Sequence, residues 1–187
     1  MAKGKLFIIS GASGVGKSTV LKKVMAARQD LQFSVSATTR PPRPGEEEGV
    51  SYYFVTAKQF EDMIAQDALL EYDAHNDNYY GTPTFEVEEK LQKGHVILDI
   101  EPVGAFNVQR KRPDATLIFI DAPSWDELVR RLRGRGDTSE DQISLRLERA
   151  KWEMEQRAQY HHIVVNDQAQ ACADQILHII SQVEDMK

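Results

Sequence analysis

Cysteine is nearly absent. Cys172 is the one thiol in 187 residues, so no disulfide can close within the chain. This excludes a disulfide-stapled scaffold and fits a reducing compartment. Cys172 shares a helical face with Ile176, Ile179 and Val183, which reads as a buried structural thiol. Long apolar runs are also missing, and nothing approaches a membrane-spanning length. An apolar strand and a glycine loop begin where the core of a secretory signal would stand, so the expectation is a cytoplasmic chain with no signal peptide. Positive charge is in deficit. The net charge of -6 at pH 7 argues against general binding to nucleic acid or to a membrane surface. Any anion site must therefore concentrate its cations locally. The five histidines, His161-His162 among them, show no metal-ligand spacing with cysteine or acid partners, which argues against a structural zinc site. There is no internal repeat and no low-complexity segment, and the length suits one compact domain with small insertions.

Against that background one stretch stands out. Gly11-Ala12-Ser13-Gly14-Val15-Gly16-Lys17-Ser18 fits the phosphate-loop pattern G-x-x-x-x-G-K-[ST] at every required position. Lys5-Leu6-Phe7-Ile8-Ile9 before it reads as a buried strand, and Ser18 to Met25 carries apolar residues at helical spacing. Phosphate oxygens must sit against bare backbone N–H groups, which is why glycine recurs. The partial positive charge of the helix N-terminus favours the anion. Lys17 can reach the β- and γ-phosphates, and the Ser18 hydroxyl can hold Mg²⁺. The chain is expected to bind a nucleoside triphosphate with Mg²⁺; the loop does not say what accepts the phosphoryl group.

Leu31 to Ala37 reads as a second strand. Thr38 to Gly49 holds three prolines and two glycines and reads as a loop. Arg40 and Arg43 within it are either part of a solvated charged turn or guanidinium groups on a proline-stiffened backbone that suits bidentate phosphate recognition. Ser51 to Val55 reads as a strand, Ala57 to Gln66 as a short helix, and Leu69 to Tyr72 and Tyr79 to Gly81 as strand pieces around an Asn76-Asp77-Asn78 turn. Strand–helix alternation then resumes with a helix over Pro83 to Lys93, Pro83 at its first position. Val96 to Glu101 is a buried strand with Asp99 near its C-terminal end, the end that faces the ligand crevice of a parallel sheet. Asp99 either serves Mg²⁺ there or caps the next helix, and a phosphate loop nearby favours the metal. Thr116 to Ile120 is a strand and Trp125 to Leu132 a helix. Arg130, Arg131, Arg133 and Arg135 then crowd around Gly134 and Gly136. A helix follows from a capping box at Ser139-Glu140-Asp141-Gln142 to about Tyr160, carrying Arg146 and Arg149. With Glu148, Glu153 and Glu155 close by, this is either a solvated hairpin laced with ion pairs or a mobile lid over the triphosphate; the glycines flanking Arg135 favour the lid. Ile163 to Asp167 is the last strand and Ala169 to Val183 the C-terminal helix.

These blocks together resemble the guanylate kinases, in their bacterial form, over essentially the whole chain. The resemblance rests on Gly11 to Ser18, on Ser36 to Glu46 (the most specific block), on Tyr79-Tyr80-Gly81, on Leu98 to Glu101, on Gly134-Arg135-Gly136 and on Val165-Asn166-Asp167. It implies an α/β fold: a phosphate-loop, three-layer core with a parallel sheet (about 1–32, 83–124 and 160–187), an inserted β-rich GMP-binding subdomain (about 33–82) and a helical lid (about 125–159). It implies phosphoryl transfer from ATP to GMP with Mg²⁺, dGMP being a further possible acceptor; monomer and homodimer both fit. By position, Arg40, Arg43, Tyr52 and Tyr80 would hold the GMP phosphate, Ser36, Glu71 and Thr82 would meet the guanine, and Glu46 and Asp99 would complete that site. Gly11 through Thr19 would cradle ATP, with Arg135, Asn166 and Asp167 also near it, and Ser18 and Asp99 would hold the metal. Lys17, Arg43, Arg135 and Arg146 would stabilise the phosphoryl group in transfer. An ionised Glu71 can accept from guanine N1–H and its exocyclic amine at once, whereas adenine presents an acceptor at N1 and would leave the carboxylate unpaired. The family usually has glutamine where this chain has Val103.

Other phosphate-loop readings fit less well. A signalling GTPase lacks support, since no Asn-Lys-x-Asp occurs and Asp99 is not followed by glycine three residues on. A non-catalytic binding module of the same fold typically lacks a working loop, and Gly16, Lys17 and Ser18 are all present.

Overall fold

The computed structural model describes residues 4–75, 77–134 and 140–185. Its nine strands are β1 (Leu6–Gly11), β2 (Leu31–Phe33), β3 (Ala37–Thr38), β4 (Tyr53–Phe54), β5 (Leu69–His75), β6 (Asn78–Pro83), β7 (His95–Asp99), β8 (Thr116–Asp121) and β9 (His162–Val165). Seven helices are interspersed among them: α1 (Lys17–Ala27), α2 (Ala57–Ala65), α3 (Thr84–Leu91), α4 (Pro102–Lys111), α5 (Trp125–Arg133), α6 (Glu140–Gln156) and α7 (Ala169–Asp185). The strands form a parallel five-stranded sheet in the order β2-β7-β1-β8-β9 and a mixed four-stranded sheet in the order β4-β3-β6-β5.

The chain divides into two compact units. One comprises Met1–Leu6, Asp30–Leu98 and Val103–Ala115; the other comprises Phe7–Gln29, Asp99–Pro102 and Thr116–Lys187. In the second unit, Phe7, Ile8 and Ile9 of β1 and Leu117 to Ile120 of β8 are fully buried, the continuous apolar pattern of strands covered on both faces. Helices α1 and α7 pack together, α1 burying Val20, Leu21 and Val24 and α7 burying Cys172, Ala173, Ile176 and Ile180.

In the first unit a small core of Ala37, Phe60 and Leu69 is ringed by Tyr53, Val55, Met63, Ile64 and Tyr79. Helix α2 starts with a reciprocal capping box between Thr56 and Gln59. The buried Glu86 accepts from the Val35 amide at 3.0 Å and the Tyr53 hydroxyl at 2.8 Å and pairs with Lys90 at 2.6 Å.

Several boundaries differ from the sequence reading. The strand expected over 31–37 is two strands, because the Val35 amide turns to the Glu86 carboxylate instead of a neighbouring strand. The strand over 51–55 shortens to Tyr53–Phe54. Pro83 is not the first helical residue. Its ψ of 131° is extended, it pairs with Leu69 at the end of β6, and α3 begins at Thr84. The long helix stops at Gln156 and tightens into a 3₁₀ turn over Arg157–Gln159. Helix α4 was not anticipated, although Pro102 at its start, Ala105 and Val108 at i, i+3 and basic residues in its last turn all signal it. Ser139 of the expected capping box lies outside the described residues. Among the described residues no helix is long and apolar enough to cross a membrane.

Candidate active site: two half-sites

The phosphate loop lies in the second unit, between β1 and α1. Gly14 and Gly16 have φ of 85° and 91°, the left-handed region that side chains avoid. At Gly16 a Cβ would also stand 2.8 Å from Asn166 Nδ2. The loop is braced from behind by distant residues. Val15 O accepts from Asn166 Nδ2 at 2.8 Å and from an Arg131 guanidinium N–H at 3.2 Å. The same Arg131 nitrogen donates to Asn166 O at 2.9 Å, while Arg131 Nε pairs with Glu127 at 2.7 Å. Hydrogen bonds from Arg130 and then Arg131 hold the Glu127 carboxyl down at about 2.

Two carboxylates approach the loop. Lys17 Nζ pairs with Asp99 at 2.5 Å, which brings together two residues expected at the triphosphate and metal. The Ser13 amide donates to Glu153 Oε2 at 2.8 Å. Glu153 is 2 % exposed, and burial raises its pKa against the opposing influence of Ser13 and Arg149. Its other oxygen lies 3.3 Å from Arg149 Nε, and Arg149 also pairs with Glu101. Glu153 is therefore not the solvated ion-pair partner that its charged surroundings suggest. Ser18, Thr19 and Asp167 are exposed, Arg146 is half-buried on α6, and Asn166 is buried. Arg135 lies outside the described residues.

The other expected set lies in the first unit. Gly45, with φ of 86°, turns the Pro-rich loop so that Glu46 closes it. Glu46 accepts from Arg40 at 2.8 Å and from the Arg43 amide at 2.7 Å. The hydrogen bond from Arg40, then that from Arg43, lowers the Glu46 carboxyl below its ordinary range. The Arg40 guanidinium lies 5.4 Å from the centre of the Tyr52 ring, which meets Tyr80 edge-on at 6.2 Å. Arg43 presents an exposed side chain. Glu71 and Thr82 face each other across β5 and β6, and Thr82 Oγ1 donates to Glu71 Oε1 at 2.5 Å. Both are buried, at 8 % and 1 % exposure. Burial raises the Glu71 carboxyl above its ordinary range, with the Thr82 hydroxyl opposing. Ser36 is half-buried just before β3.

A family model for guanylate kinase matches residues 3–183. Guanylate kinase of Oceanobacillus iheyensis is 46% identical over 95% of this chain and 87% of its own length. That of Neisseria gonorrhoeae is 46% identical over 96% and 88%. A crystal structure of guanylate kinase from Anaplasma phagocytophilum superposes with a TM-score of 0.75 at 31% identity, covering all of this chain and 88% of that one. The chain belongs to the guanylate kinase family.

Members of this family are nucleoside-monophosphate kinases that phosphorylate GMP using ATP. Residues that motif reading did not single out for the guanylate kinase site are Arg131 and Glu153. Arg131 was one of several arginines in a basic run, and Glu153 meets Ser13 across 140 residues of sequence. The only local hint for Glu153 is its i, i+4 spacing from Arg149.

Proposed function

We propose that the chain transfers the γ-phosphoryl group of ATP directly and in line to GMP, giving ADP and GDP in guanine nucleotide synthesis and recycling in the cytoplasm. A core, a GMP-binding subdomain and a lid are the parts that would carry this out. The observation that carries the reading is the buried Glu71–Thr82 pair, together with the Arg40–Glu46–Tyr52 cluster of the same unit. The pair supplies a hydrogen-bonding edge for a base, and Arg40 supplies a cation for a monophosphate.

The acceptor oxygen belongs to the GMP phosphate, which is already ionised at neutral pH. It attacks the γ-phosphorus, the bond to the β–γ bridging oxygen breaks, and that oxygen leaves on ADP. No side chain has to remove a proton, which suits a site with many cations and no paired nucleophile and base. Lys17 would leave Asp99 for the triphosphate, while Arg43, Arg135 and Arg146 offset charge on the equatorial oxygens. Arg40, Tyr52 and Tyr80 would hold the GMP phosphate. Ser36, Glu71 and Thr82 would hold guanine, and Asn166 and Asp167 would border the ATP base. Ser18 and Asp99 form an oxygen-only donor set, with the Asp99 side chain 37% exposed, which fits a hard cation that keeps part of its water shell. Mg²⁺ held there would neutralise the β- and γ-phosphate oxygens.

The test is ADP release with ATP and Mg²⁺, offering GMP, dGMP, AMP, CMP and UMP separately. Turnover confined to the guanine nucleotides is expected. Equal turnover of AMP would reject the Glu71 assignment while leaving the phosphate loop intact.

A further inference from the structure

Gly104 lies inside α4, in the first unit. Gly104 is the third residue of that helix, where glycine is still less favourable than alanine. Gly104 is not among the glycines with positive φ, so the backbone does not require it. Space does. A Cβ at Gly104 would stand 2.8 Å from Glu71 Oε2, 3.3 Å from Cδ and 3.5 Å from Cγ. Glu71 cannot swing aside freely, because it is 8 % exposed and its Oε1 is held by the Thr82 hydroxyl at 2.5 Å.

We infer that Gly104 is a specificity-positioning residue: its bare Cα on α4 leaves the space in which Glu71 keeps Oε2 in place for the guanine edge. The inference rests on the guanine reading of Glu71. The Thr82 hydroxyl takes one lone pair of Oε1 and the Thr82 backbone also bonds the carboxyl, which leaves lone pairs on the carboxylate for the guanine edge. A methyl group at 104 must displace Oε2 by several tenths of an ångström. Loss of alignment falls hardest on a ligand that uses both carboxylate oxygens. Inosine monophosphate lacks the exocyclic amine and makes one of the two bonds, so the ratio of GMP to IMP use reads the second bond directly.

The experiment measures kcat/KM for GMP and IMP, KM for ATP, and Tm in wild type, Gly104→Ala, Glu71→Gln and the double variant. Gly104→Ala should keep its Tm and its KM for ATP, lose about tenfold or more in kcat/KM for GMP, and lower the GMP-to-IMP ratio. Gly104→Ala should add little in the Glu71→Gln background, because both act through one carboxylate. A wild-type ratio in Gly104→Ala, with the ratio lost in Glu71→Gln, overturns the inference alone. A wild-type ratio in Glu71→Gln overturns the guanine reading itself. Should Gly104→Ala not fold, a Gly104→Ala/Glu71→Ala variant decides. Recovered folding locates the collision at Glu71, and continued failure overturns the inference.

Discussion

The Glu71 carboxylate is buried, with its pKa raised first by desolvation. The folded chain thus holds this proton to a higher pH than the unfolded chain does. As pH rises from the unfolded value to the folded one, the folded state binds the extra proton and Glu71 progressively costs stability, with the full cost present above the folded value. Glu71→Gln is therefore expected to be more stable than the parent above that window, and the gap should close below it; urea unfolding at several pH values measures this. The same change should lower kcat/KM for GMP by about 10²–10³ and leave KM for ATP nearly unchanged, since charge-assisted hydrogen bonds carry the base recognition. In the parent, KM for GMP should rise on acidification beginning above the ordinary glutamate range, and the Gln variant should lack that rise. Arg135→Ala should depress kcat far more than either KM, as expected of a charge that acts on the transferring group.

Among the elements, α6 connects to the phosphate loop through one carboxylate. Removing Glu153 leaves the half-buried Ser13 amide without its acceptor, a loss of about 1 kcal/mol. Glu153→Ala should raise KM for ATP by about tenfold or more, and Glu153→Gln, which keeps an acceptor oxygen, should recover most of it; initial rates at varied ATP separate the two. This scale also shows what the sequence conveys and what it withholds. The phosphate loop, the buried runs of β1 and β8 and the capped α2 are legible because local chemistry dictates them. Strand ends at Phe33 and Pro83 were misread because tertiary partners, Glu86 for the Val35 amide and Leu69 for Pro83, decided them. The braces Arg131 and Glu153 stayed hidden because the contacts that set them apart from the surface charges around them reach residues 116 and 140 positions away.

At the scale of the whole molecule, the chain passes between the two compact units at 6/7, 29/30, 98/99, 102/103 and 115/116, so neither unit is one continuous segment. Cys172 provides a probe of the second. It is fully buried, and burial pushes its thiol up to about 11. Native protein should resist a thiolate-directed reagent at neutral pH, react fully in denaturant, and react more slowly still with saturating ATP, which stabilises the form it binds. Rapid labelling of native protein would show α7 to open far more readily than its packing implies. The bracing of the phosphate loop also sets an order in time. The loop leaves the ribosome well before its supports do, because Glu153 and Asn166 follow 140 and 151 residues after the loop residues they hold. A nascent chain thus displays its most recognisable motif long before that motif is supported, and a growing chain should not retain ATP until synthesis has passed Asn166.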